Sequence, residues 1–386
     1  MDPFYGIFNL ALGILFLFII PFMGQVARQN YRDKIWNGVA SILFGIIICL
    51  IIGIYFVSNA VFIYINSWTF TDPLEKLQYV QNQFCQVGLF SYPIACYVLF
   101  ACLFFLMAIG TYIIYINHYK RVKSPGERAT DATHPLDLEL SRKVFHIGLI
   151  GIVICYIVIG RVVLMGIFGY LSNLFSFEKF LGNFIPYYDL EFNEILPYMG
   201  QQITMLALMM IFFFVLFTDF VRLYEPRYNL LQTVSKTWRK SEEQTFGPHI
   251  YIILGCMIPV LYFKPPIAAA TIGIAALGDA MATIAGVTKG THKLRETSPK
   301  TWEGTIAGTI GSFVFGFLCY LAIISLAPIY GTFYQGSIVE GVIICLVGAL
   351  TFFVLDILTP PIPISDNILN PIFCGLTMFF TSLIIS

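Results

Sequence analysis

Charge is what this sequence has least of. Asp, Glu, Lys and Arg make up 11% of its 386 residues, under half of the roughly 25% usual in a soluble domain. That scarcity excludes a soluble globular protein and a disordered tail. Neither sign is in excess, because 22 basic residues stand against 22 acidic ones. A polybasic surface for nucleic acid is therefore excluded too. No CxxC occurs, and all nine cysteines except Cys85 lie inside apolar runs. They read as small packed hydrophobes rather than as a disulfide or zinc framework. The HExxH, GxSxG, GxxxxGK[ST], HRD and DFG signatures are all missing. Zinc hydrolysis, serine acyl transfer, P-loop chemistry and protein-kinase chemistry thus have no support.

What is present is apolar: hydrophobic residues reach 58%, with a mean hydropathy of +0.80. Apolar runs cover 4–24, 37–64, 88–117, 144–175, 198–219, 248–263, 266–288, 301–328, 337–356 and 370–386. Most approach the roughly 20 residues that a helix needs to cross a bilayer. Being continuous rather than alternating, they exclude a transmembrane β-barrel. The expected fold class is all-α, a polytopic transmembrane helical bundle of about ten spans. The first run has no basic n-region and no clear small-residue cleavage site, so it reads as a retained helix. Run 248–263 is short, and 144–175 is long and carries Arg161.

The connections between these runs alternate in Lys and Arg. Odd-numbered loops hold 18 and even-numbered loops hold 3. The positive-inside rule then places loops 25–36, 118–143, 220–247, 289–300 and 357–369 in the cytoplasm, with both termini opposite. Residues 1–117 read as N-terminal membrane helices with no assigned role. Residues 118–386 hold most of the cationic cytoplasmic loops, including one near 286–304.

Ionisable residues inside spans are costly and mostly functional. Asp279 is the clearest, with no basic residue within nine positions. Gly278, Ala282 and Gly286 recur every four residues beside it. That bare face suits either a close helix contact or the approach of a ligand, with the acid serving a metal or a proton. The following loop holds Gly286, Lys289, Gly290, Lys293 and Arg295. Lys300, Thr301, Glu303 and Gly304 follow it. Ser298–Pro299 is a helix-start signal that predicts a helix from near Lys300. Glycines, cations and a helix N-terminus together suit a polyphosphate. Asp356 and Asp366–Asn367 flank the last cytoplasmic loop, which has no Lys or Arg. They read as turn residues or as ligands for Mg²⁺ bridged to phosphates. Two more clusters lie at span ends: Arg142 with His146, and Asp219 with Arg222. Each pair shares a helical face.

These residues suggest a family. Gly278–Asp279, Gly286, Gly290 and Lys300–Thr301–Trp302–Glu303–Gly304–Thr305 resemble the nucleotide-binding segment of dolichol kinases and their polyprenol and phytol kinase relatives. Arg142–Lys143–Val144–Phe145–His146 resembles their RKxFH element. Asp219-x-x-Arg222 is similar to their acid-x-x-Arg helix end. Ser365–Asp366–Asn367 resembles their acidic-Asp-Asn signature. The resemblance covers about residues 140–386 and implies that 118–386 is a transmembrane catalytic domain with its nucleotide-binding loop near 286–304. It implies a CTP-dependent lipid-alcohol kinase of the endoplasmic reticulum membrane, with its active site facing the cytoplasm. Such an enzyme would phosphorylate the terminal hydroxyl of dolichol to dolichyl phosphate for protein glycosylation. Lys289, Lys293 and Lys300 would hold the triphosphate, and Asp279 would hold Mg²⁺ or take the alcohol proton. Asp356 and Asp366 would be second-choice metal ligands. Arg142, His146 and Arg222 would fix the nucleotide or the lipid's leading end. Two other classes compete: a cytidylyltransferase making a CDP-lipid, and a transporter using Asp279 and Arg161.

Overall fold

The structure is a computed structural model. It describes residues 4–69, 143, 146, 148–154, 192–224, 244–296, 298, 300–325, 336–359 and 362–385. Run 88–117, most of run 144–175, Arg142 and Arg161 lie outside the described residues.

The described regular elements are helices, apart from one antiparallel bridge between Lys293 and Thr301. In chain order they are α1 (Phe4–Arg32), α2 (Trp36–Thr69), α3 (Ile150–Ile154), α4 (Phe192–Tyr224) and α5 (Pro248–Tyr262). Then come α6 (Pro265–Gly273), a π-helical turn (Ile274–Gly278), α7 (Asp279–Lys289), α8 (Trp302–Ile324), α9 (Ile338–Leu358) and α10 (Asp366–Ile385). Among the described residues seven helical stretches are long and apolar enough to cross a membrane, and α6 to α7 form one of them. The protein is a polytopic helical membrane bundle. Helices suit that solvent because they satisfy their own backbone groups where no water is present.

Helix α4 extends the run 198–219 at both ends, to Phe192 and Tyr224, and three other boundaries differ from the sequence reading for a visible reason. Helix α1 runs on past residue 24 to Arg32, because the chain stops it with a left-handed residue further on. Lys34 has φ 60, and Ile35 N–H donates to the Asn30 carbonyl at 2.8 Å, as at a helix C-terminus. Helix α10 begins at Asp366 rather than 370, with the N–H groups of Ile368 and Leu369 donating to the Ser365 carbonyl. Helix α8 begins at Trp302, and its cap is Thr301, not Ser298. The Thr301 hydroxyl accepts from Gly304 N–H at 3.2 Å. Pairing of Lys293 with Thr301 keeps the chain extended up to that residue, so the helix cannot start earlier.

The helices sort their faces as lipid demands. On α8, Trp302, Ile306, Ile310, Val314 and Leu318 are exposed at a spacing of four. The opposite face is small: Gly304, Gly308 and Ser312 meet Gly286, Ala282 and Gly278 of the preceding segment. The bare face next to Asp279 is thus a helix contact, of the small-residue kind that lets backbones approach. A Cβ at Gly308 would come within 2.5 Å of Ala282 Cβ and 2.9 Å of Phe352. We expect Gly308→Leu to destabilise the bundle by about 1–3 kcal/mol, the range for overpacking. Ile310→Leu on the exposed face should be near neutral. Thermal unfolding of the purified protein in detergent checks both.

Helices α1, α2, α4, α5 and α10 share one core, with Phe16, Phe56, Phe212, Leu254 and Ile368 buried in it. A second core joins Phe263, Ile274, Tyr320, Phe352 and Met378. Ser365 N–H donates to Ser41 Oγ at 2.9 Å, so α2 reaches the polar turn before α10. The N-terminal helices therefore support the same end of the bundle where the acids lie.

Candidate functional site

The π-helical turn ends one residue before Asp279. One extra residue in a helical turn swings everything after it by about 100°. Gly278 stays against Ser312, while Asp279 points away from that seam into the bundle. There the carboxylate forms an ion pair with Lys143. Oδ2 also lies 3.3 Å from His146 Nε2. The same Nε2 lies 2.9 Å from Asn367 Oδ1 at the start of α10. Both neighbours are acceptors, so Nε2 carries the hydrogen. Lys143, His146, Asp279 and Asn367 are all buried. They come from three parts of the chain, and 136 residues separate Lys143 from Asp279.

A second group lies beside the first. Lys300 Nζ donates to Asp356 Oδ1 at 2.6 Å, to Thr359 Oγ1 at 2.8 Å and to Asp366 Oδ2 at 3.2 Å. The other Asp356 oxygen accepts from the Thr305 hydroxyl. Burial works to lower the Lys300 pKa, but Asp366 and Asp356 outweigh it and hold the amine above its usual range. Asp279 acts on it in the same sense, which joins the two groups in one electrostatic field. Because the folded pKa is raised, this pairing is complete below the unfolded value of about 10.4. It weakens only as pH rises through the folded value.

A third group fastens α4 to the turn before α5. Asp219 accepts from Arg222 Nε at 2.9 Å and from Gly247 N–H at 2.7 Å. Arg222 also donates to the Thr245 carbonyl. Asp219 and Arg222 are buried, so Arg222 is not a cation reaching for headgroups.

The loop that the sequence marks as a phosphate cradle is closed on itself. Glu303 accepts from the Thr291 hydroxyl at 2.6 Å and His292 N–H at 3.2 Å, and lies 2.6 Å from His292 Nδ1. Trp302 N–H donates to the His292 carbonyl at 2.9 Å, and Gly304 N–H goes to Thr301. The N-terminus of α8 therefore spends these two donors inside the loop. Gly286, Gly290 and Gly304 gather around Thr301, which a Cβ on any of them would approach within 3.2 Å. Lys289 and Lys293 remain exposed at the same end. Lys300 alone of the three lysines turns inward, to the acids.

The structure thus brings together Asp279, His146, Asn367, Lys300, Asp356 and Asp366. Asp219 and Arg222 pair with each other. Arg142 lies outside the described residues. The sequence places Lys143 and Thr305 within motifs but assigns no role to them or to Thr359. The available signal for Lys143 was its place three residues before His146, on the same helical face.

Among the described residues no three of His, Cys, Asp and Glu converge as a ready metal cage. Mg²⁺ does not need one, because it binds through one or two carboxylates plus substrate phosphates. Asp356 and Asp366, with their oxygens already around one ammonium, fit that description.

The acid–lysine cluster thus joins residues from several helices of a polytopic helical membrane bundle. The chain belongs to the cytidylyltransferase family, whose model matches residues 140–358. That makes it a CTP-using lipid enzyme. The match begins just before Lys143 and takes in Asp219, Asp279, Lys300 and Asp356, whereas Asp366 and Asn367 lie beyond it. No curated protein and no solved structure matches the chain.

Proposed function

We propose that the protein is a CTP-dependent kinase that phosphorylates the terminal hydroxyl of dolichol or a similar polyprenol-type lipid alcohol. The product, dolichyl phosphate, would serve protein glycosylation. The enzyme would act in the endoplasmic reticulum membrane with its site toward the cytoplasm. The supporting observation is that, among the described residues, each buried cation of the site already faces a carboxylate. Lys143 is matched by Asp279, Arg222 by Asp219, and Lys300 by Asp356 and Asp366. A neutral alcohol fits such a site and needs a proton acceptor. A lipid phosphate arrives already ionised and needs cations instead.

In this reading the hydroxyl oxygen attacks the γ-phosphorus of CTP, and CDP leaves. The Asp279–His146 pair takes the hydroxyl proton, with Lys143 and Asn367 holding that pair in place. Lys289 and Lys293, exposed beside the site, hold the triphosphate. Asp356 and Asp366 would hold Mg²⁺, which would supply neutralisation of developing phosphate charge, as phosphoryl transfer generally requires.

The family description favours a second reading, cytidylyl transfer to a lipid phosphate. Purified protein with γ-labelled CTP or ATP and a panel of lipid alcohols, diacylglycerol, phytol and phosphatidate tests both. The proposal expects label on a polyprenol with CTP preferred. Turnover with phosphatidate alone would refute it.

A further inference from the structure

Lys300 is expected to meet phosphate, yet its ammonium lies between the two carboxylates best suited to a divalent ion. It contacts Asp356, Thr359 and Asp366 at once. A divalent ion bridging those carboxylates would meet the ammonium at close range, and two cations repel steeply there. One of them must leave.

We propose that Lys300 is an exchangeable counter-cation. In the nucleotide-free protein it neutralises Asp356 and Asp366. A divalent ion arriving with CTP displaces it, and its ammonium moves onto the phosphates. This rests on the reading above that these carboxylates take the metal.

The local structure suits such an exchange. The backbone of Lys300 is fixed, because its carbonyl accepts from Leu294 N–H at 2.9 Å and its N–H donates to Ser298 Oγ at 3.1 Å. Only the flexible four-carbon stem has to move. The Lys300 and Asp366 side chains are 26% and 33% exposed, so incoming ions reach them from solution. Asp356 is the fixed partner, 8% exposed and held by Thr305. Lys143 differs: its side chain and that of Asp279 are 10% and 13% exposed. That pair is enclosed, and it stays in place as the other opens.

The consequence is an order of events. Without nucleotide the carboxylates keep their own ammonium, and free divalent ions bind weakly. With nucleotide the phosphates give the ammonium a new partner, so metal and CTP enter together.

The test uses the full chain purified in detergent micelles, with Mn²⁺ alone as the probe and free Mn²⁺ read by electron paramagnetic resonance. Without nucleotide, Lys300→Met should bind Mn²⁺ at least about tenfold more tightly than the unaltered protein. Lys300→Arg, which keeps the cation, should show no gain. Adding Asp356→Asn to Lys300→Met should abolish the gain. If Lys300→Met does not fold, Lys300→Gln takes its place in both arms. Unchanged or weaker Mn²⁺ binding in the neutral variant overturns the proposal, as does a gain that survives Asp356→Asn. The readout involves neither CTP nor lipid. A gain in a protein that phosphorylates no lipid alcohol would therefore sink the kinase reading and leave this one standing.

Discussion

Replacing Asp279 by Asn is expected to lower lipid phosphorylation by about 10²–10⁴-fold, the range for loss of a positioned acid–base group. The amide matches the carboxylate in shape and can still accept from Lys143, which leaves the packing of α7 against α8 unchanged. What it loses is charge. The hydroxyl proton then loses its carboxylate acceptor, and the group facing His146 Nε2–H becomes a neutral amide. Insertion in the membrane should persist, whereas the unfolding midpoint should fall, because the buried Lys143 ammonium loses its carboxylate partner. Rates per folded molecule, measured beside a melting curve, separate the two effects. Near-normal turnover in this variant would remove Asp279 from the reaction.

The second large effect concerns stability. Asp219→Ala takes from the buried Arg222 guanidinium the carboxylate that it pairs with at 2.9 Å. Breaking a buried ion pair by removing one partner costs about 3–5 kcal/mol. Gly247 N–H also loses its acceptor, at the point where the chain turns into α5. We expect a large drop in the unfolding midpoint in detergent. The double variant Asp219→Leu/Arg222→Met should recover much of it, because it removes the stranded charge as well. A single variant as stable as the parent would mean that the pair does not fasten α4 to α5.

Those two residues show what the sequence makes readable. Asp219 and Arg222 are three apart on a helix, so their pairing follows from helical geometry alone. Apolar runs of the right length give the helices, because in lipid the alternative backbone arrangements leave groups unsatisfied. Asp279 stands out since an acid flanked by Ala and Gly has no local reason to exist. Its partner does not stand out. Lys143 meets it across 136 residues, and no periodicity encodes that distance. The π-helical turn is equally hidden, since Ile-Ala-Ala-Leu-Gly would serve an ordinary helix. Without that turn the Gly278, Ala282 and Gly286 face could be drawn open, as a place for a ligand. With it, the face lies against α8 and the acid swings clear.

Lys300 shows a different limit. Its position among glycines and cations suggests phosphate, and Asp356 and Asp366 suggest metal. Each suggestion is local. Only the fold brings the lysine to both acids and shows that they neutralise one another. The cap on α8 is a similar case. Ser298–Pro299 is a sound local start signal, but the pairing of Lys293 with Thr301 overrides it and moves the start to Trp302.

The central claim is that this family member transfers the γ-phosphoryl group rather than the cytidylyl group. The most direct measurement supplies CTP labelled with ³²P at the γ-position and ³H in the cytosine. The purified full chain acts on micelles holding a polyprenol in one arm and phosphatidate in the other, and the products are separated. The account predicts ³²P alone on the lipid and ³H in CDP. Tritium on the lipid, with ³²P released as pyrophosphate, would contradict it.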